Sequence, residues 1–193
     1  MDRISSVLTD YLLRNNVIEE EDYEIYKYGL LSGTEMLICV ATCYLFAAQM
    51  GMLLKCTVLL LLLFSLRSYV GGLHLNSFLA CYICSCIVIV FTLLAIKNVP
   101  IPQFYSLLIS IFEMIVILFS DPVENINRPV NDNEKKFFLN RIRIILMIIL
   151  MLTIFCYYFS FNSYLDTITY TLGVIFVSML LGKLKSKIKK SEV

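Results

Sequence analysis

Apolar residues run along this chain in long blocks separated by short polar breaks. The first block, residues 30–66, carries just two charged side chains, Glu35 and Lys55. As one helix it would be about 55 Å long at 1.5 Å per residue, well beyond the roughly 30 Å apolar thickness of a bilayer. The pattern therefore predicts a hairpin turning near Met50-Gly51-Met52, its second arm short and Lys55 reaching back to the interface. A pair of tilted or re-entrant helices fits the same pattern. Residues 75–96 carry no charge and are long enough to span, and Lys97-Asn98-Val99-Pro100 ends that run. Residues 101–120 follow, with a lone Glu113, up to Asp121-Pro122. A polar connection over 121–143 leads to a further span at 144–165 and a shorter last helix at 167–182. Ahead of all these, Ile4, Val7, Leu8, Tyr11 and Leu12 fall on one face of a helix over 3–18. That is an amphipathic segment suited to a membrane surface or to packing against a bundle.

Composition agrees: 59% of residues are hydrophobic, 16% are charged, and mean hydropathy is +0.80. A soluble domain of this size carries about a quarter charged residues. The expected fold is an all-α polytopic membrane bundle, one domain with about six transmembrane or re-entrant helices and no repeat. Its parts are an amphipathic cytoplasmic segment (1–28), a transmembrane domain (29–182) and a basic tail (183–193). The start, with its acidic run Glu19-Glu20-Glu21-Asp22, has no cleavable signal pattern, so insertion through internal helices is expected.

The net charge of +1 carries no information about nucleic acid, which is not an expected partner, but the placement of charge is informative. With six crossings, every Lys and Arg except Lys55 and Lys97 falls on one side of the bilayer. The positive-inside bias puts that side, and both termini, in the cytoplasm. The seven cysteines (Cys39, Cys43, Cys56, Cys81, Cys84, Cys86, Cys156) lie almost wholly within apolar runs. An odd count without loop spacing is a poor disulfide framework, so all but Cys81 read as small buried hydrophobes. Cys81-x-x-Cys84 has no second ligand pair, and neither metal nor cofactor is expected.

The unusual stretch is Arg67-Ser68-Tyr69-Val70-Gly71-Gly72-Leu73-His74-Leu75-Asn76-Ser77, with Cys81 close behind. It contains the only histidine, at the mouth of a span. Cysteine and histidine together make a nucleophile and a base: the imidazole raises the thiolate fraction and then protonates the leaving amine. In one continuous helix the two would stand about 10.5 Å apart along the axis. His74 therefore has to lie outside the helix that carries Cys81. Flexible backbone at Gly71-Gly72 and a helix cap at Asn76 or Ser77 allow it to fold back. A cysteine in the first turn also meets the positive end of the helix dipole. From these features alone, an interfacial or packing histidine is the plainer reading.

Arg67-x-x-x-Gly71-Gly72-x-His74 with Cys81 at the start of an apolar helix resembles the accessory gene regulator B (AgrB) family, membrane endopeptidases that mature quorum-sensing peptides in Gram-positive bacteria. Asp121-Pro122-Val123-Glu124-Asn125-x-Asn127-Arg128-Pro129 is similar to that family's Pro-containing polar loop, though Asp121 stands where a small residue is expected. Length, helix number and the amphipathic start agree as well. The resemblance implies that Cys81 is the nucleophile and His74 its base and acid, with Arg67 and Gly72 supporting. It implies an AgrD-like propeptide as substrate, cleavage before an acidic tail, an acyl-enzyme thioester and thiolactone closure by the peptide's own cysteine. It also implies a homodimer in the bacterial cytoplasmic membrane. Arg128, Lys135, Lys136, Arg141 and Arg143 are candidates to dock the acidic tail or, more plainly, positive-inside anchors. Glu113 and Asp166, ionisable groups in or beside spans, are candidates to orient His74 or to mark a polar path. The rival reading is a small transporter or permease without peptidase activity; a non-enzymatic membrane scaffold is a third.

Overall fold

The computed structural model describes residues 2–15, 17–72, 78–120 and 132–191. These residues are helical, without strands: α1 (Asp2–Arg14), α2 (Tyr23–Gln49), α3 (Leu53–Val70), α4 (Phe78–Asn98), α5 (Gln103–Phe119), α6 (Asp132–Tyr158) and α7 (Asn162–Ser191). Five of them, α2, α3, α4, α6 and α7, are long and apolar enough to cross a membrane, and α5 is a shorter apolar helix. The protein is a polytopic helical membrane bundle.

The expected hairpin between α2 and α3 is present, and its turn has an identifiable cause. Gly51 adopts φ +69, its N–H bonds the Ala48 carbonyl at 3.1 Å, and the Met52 N–H bonds the Ala47 carbonyl at 2.8 Å. That pair of bonds is the Schellman stop, which needs a residue that tolerates left-handed backbone. Helix α3 then runs on to Val70, so Arg67 sits in its last turn and not in a connection after it.

The last two helices differ from expectation. The break falls at Ser160 instead of near Asp166, and α7 is a long helix, not a short one. Ser160 takes φ 57, its N–H bonds the Tyr157 carbonyl at 3.2 Å, and the Phe161 N–H bonds the Cys156 carbonyl at 2.8 Å. This is the same stop made by a non-glycine residue, backed by the stacked rings of Phe159 and Phe161. Helix α6 also starts earlier than expected, taking Lys135, Lys136, Arg141 and Arg143 out of the polar connection and onto a helix. Arg128 lies outside the described residues.

Packing divides the bundle into two cores that share α3. Leu66, Val70, Met114, Ile149, Leu172 and Ile175 join α3 to α5, α6 and α7. Cys43, Ala47, Cys56, Leu60, Ile89 and Leu93 join α3 to α2 and α4. Helix α7 is central: 56% of its span is buried, against 11% of the span that contains α2. Helices α2 and α6 turn Met36, Leu37, Leu45, Met147, Met151 and Phe155 outward, as lipid-facing helices do. Helix α1 rests on α2 through buried Ser5 and Thr9, and Tyr23 donates to Asp10 at 2.8 Å. Its apolar residues Val7, Leu8 and Tyr11 remain exposed, an arrangement suited to the membrane surface.

Candidate active site

Between the two cores lies a cavity of about 580 Å³, walled by α3, α4, α5 and α7. Its lining is largely apolar, with Leu59, Leu63, Val88, Ile109 and Val174, and Arg67, Gly71, Cys81, Cys84, Glu113 and Ser178 also face it. Ligand sites fall in the range of about 300–1,000 Å³ and are mostly apolar with a few polar groups.

Each residue at the α3–α4 end has a local reason for its place. Helix α3 stops at Gly71, φ +76, whose N–H bonds the Arg67 carbonyl at 3.0 Å. Gly72 is buried against α7. A Cβ on Gly72 would stand 2.6 Å from Ser178 Oγ and 3.4 Å from Arg67 Nε. A Cβ on Gly182 would stand 2.9 Å from the Gly72 carbonyl carbon and 3.0 Å from its oxygen. The two backbones therefore touch, and Arg67 packs on the same spot. The described part of α4 begins at Phe78, and Cys81 lies three residues into it. Cys81 is half-exposed and lines the cavity with Arg67. His74, Asn76 and Ser77 lie outside the described residues.

The two intramembrane carboxylates occupy other places. Glu113, 9% exposed, lines the cavity from α5. Its Oε1 stands where Gly173 leaves room, 3.0 Å from the position of a Cβ there, and its Oε2 has no hydrogen-bond partner among the described residues. Gly173 precedes Gly182 by nine residues, about 13.5 Å along α7. Asp166 is buried near the start of α7, about 24 Å along the helix from Gly182. Asp166 is thus far from the contact between Gly182 and Gly72. Between the two carboxylates, Thr169 joins α7 to α5 through Ser106 Oγ at 2.6 Å and Ser110 Oγ at 2.8 Å.

The basic candidates on α6 do not form one patch. At 100° per residue, Lys136 and Arg143 lie about 20° apart, with Lys135 about 80° from Arg143. Arg141 projects from the other side, over the ring of Phe137 at 5.0 Å.

A glycine stop at the end of α3 and a cysteine near the described start of α4 line one cavity, an arrangement that a membrane peptidase can use. The family model described as accessory gene regulator B matches residues 5–185. The chain belongs to the accessory gene regulator B family. No curated protein and no solved structure matches it. Family membership makes this a membrane-embedded member of a peptidase-like processing family, acting on the AgrD propeptide in the maturation of quorum-sensing peptides. Sequence reasoning missed Ser178 and Gly182. Their i, i+4 spacing is a small-xxx-small pattern that marks close helix contacts, but Gly182 reads from sequence as a helix end.

Proposed function

We propose that this protein is a cysteine endopeptidase that removes the C-terminal tail of its propeptide and closes the remainder into a thiolactone. The observation that carries the reading is Cys81, near the described start of α4, lining a cavity that Arg67 and Gly71 also line. His74, two residues after Gly72 in sequence, takes the Cys81 proton. The Sγ attacks the scissile carbonyl, and the imidazolium protonates the departing amine of the tail. The acyl group then sits on Cys81 as a thioester. The propeptide's own cysteine, as thiolate, attacks that carbonyl; a new thioester closes the ring and the Cys81 thiolate leaves. Exchange of thioester for thioester nearly conserves bond energy, so the apolar lining has to keep water from the acyl group.

Arg67 and Gly72 serve this reaction as positioning residues. Lys135, Lys136 and Arg143, on one side of α6, receive the acidic tail together with Arg128, while Arg141 is directed elsewhere. Both termini are cytoplasmic, in keeping with six apolar helices and the distribution of Lys and Arg. Glu113 in the cavity is the observation that favours the transporter reading.

The test is to trap the acyl-enzyme. A propeptide whose internal cysteine is replaced by serine cannot close the thiolactone readily, so the adduct accumulates. Intact-mass spectrometry should show the protein plus the propeptide without its tail, removable by hydroxylamine and absent from Cys81→Ala. Tail release without an adduct, or an adduct elsewhere, would contradict the mechanism.

A further inference from the structure

We propose that Cys39, Cys43 and Cys86 form a binding site for a soft, thiophilic monovalent cation, with Cu(I) the ion that fits. The Sγ atoms of the three residues all lie within 4.8 Å of one another, and those of Cys39 and Cys86 are 3.9 Å apart. The cluster joins different elements. Cys39 and Cys43 are one helical turn apart on α2, and Cys86 comes across from α4. Cys43 is buried, Cys39 and Cys86 partly so, and all three are free thiols.

Geometry, donor type and donor number each narrow the ligand. With metal–sulfur bonds of about 2.3 Å, three sulfurs around one ion stand roughly 3.8–4.0 Å apart. The Cys39–Cys86 pair already has that spacing, and the third sulfur needs to move by no more than about 1 Å. The donors are all sulfur, which selects soft ions over magnesium, calcium or manganese. The neighbouring hydroxyls of Thr42 and Tyr82 bond each other at 3.0 Å. A fourth thiol, Cys56, is directed at the Cys43 carbonyl, 3.9 Å away. Three sulfurs, with no fourth His, Cys, Asp or Glu grouped with them among the described residues, suit Cu(I) better than zinc, which takes four in structural sites.

Each sulfur that becomes a thiolate releases its proton. Three such losses leave Cu(I) with three thiolates at a net charge of −2, so capture should strengthen as pH rises. The ion would tie α2 to α4 five residues beyond Cys81, on the helix that carries the proposed nucleophile. This site is independent of the cleavage chemistry.

The experiment is an anaerobic titration of the purified, reduced full-length protein with Cu(I), in competition with bathocuproine disulfonate. One equivalent should be captured. X-ray absorption at the copper edge of the wild type should report three sulfur neighbours at about 2.3 Å. Cys39→Ser, Cys43→Ser and Cys86→Ser should each weaken capture by about 100-fold or more, since outer-shell changes alone cost 10–100-fold. Cys156→Ser and Cys81→Ala should leave it unchanged. Fewer than three sulfur neighbours, equal loss in Cys156→Ser, or isolation of the pair as a Cys39–Cys86 disulfide after rapid thiol trapping would overturn the proposal.

Discussion

Gly182→Ala tests whether α7 sets the position of the loop before α4. The added Cβ would meet the Gly72 carbonyl carbon at 2.9 Å, its oxygen at 3.0 Å and its Cα at 3.3 Å. These are backbone atoms, so no side chain can rotate away, and α7 has to part from Gly72 by roughly half an ångström. Overpacking of this kind costs about 1–3 kcal/mol, offset by about 0.8–1.0 kcal/mol from alanine's better helix propensity. The net expectation is a loss of about 0–2 kcal/mol. Gly33→Ala is the control. Gly33 also lies within a helix, but a Cβ there meets nothing within 4 Å, so that variant should gain up to about 1 kcal/mol. The two should therefore differ by about 1–3 kcal/mol in unfolding free energy, read by denaturant titration in detergent micelles. Activity should separate them further. A 1 Å misplacement near reacting groups can cost about 100-fold, so a half-ångström shift of Gly72 should slow propeptide cleavage by roughly tenfold in Gly182→Ala alone. If Gly182→Ala is as stable and as active as Gly33→Ala, the contact between α7 and the loop has no such role.

Three further outcomes follow from particular contacts. Lys135→Gln with Lys136→Gln should weaken cleavage of an acidic-tailed propeptide at low salt, whereas Arg141→Gln, on the other side of α6, should not; equal effects would discard the docking face. Ser160→Gly should stabilise the protein by about 1 kcal/mol, because left-handed backbone costs an L-residue about 1–2 kcal/mol; an unchanged or lower unfolding midpoint would refute this. Thr169→Val removes the hydroxyl that joins Ser106 and Ser110 and should destabilise by about 0.6–1.7 kcal/mol, the range for interhelical hydrogen bonds in membranes; a stabilised variant would show that these bonds do not hold α5 to α7.

Much of the fold was legible because the bilayer imposes length and because turns carry specific residues. The α2–α3 hairpin followed from a block too long to span once and from Gly51. The end of α4 followed from Lys97-Asn98-Val99-Pro100. The break at Ser160 was not legible, since serine is a poor left-handed residue and its neighbours Phe159 and Phe161 read as part of an apolar run. Asp166 looked like a boundary because charge usually marks one, yet it is buried within α7. At the site, residue type and spacing picked out Cys81 and the Gly71-Gly72 turn, and the family resemblance added Arg67 and Gly72 as supporting residues. The partners Ser178 and Gly182 are more than a hundred residues away in sequence, and only the packing of α7 brings them to Gly72. The three-thiol cluster was hidden for the same reason: each cysteine alone looks like a small apolar residue, and only the pairing of α2 with α4 joins them.

The central claim is that Cys81 is the nucleophile, and the most direct measurement is release of the tail from a co-expressed propeptide, followed by mass spectrometry. Wild type, Cys81→Ala and Cys84→Ala should be compared, since Cys84 lines the same cavity. Loss of cleavage in Cys81→Ala, with cleavage retained in Cys84→Ala, is the result predicted here. Equal cleavage by all three would make Cys81 a packing residue and contradict the account.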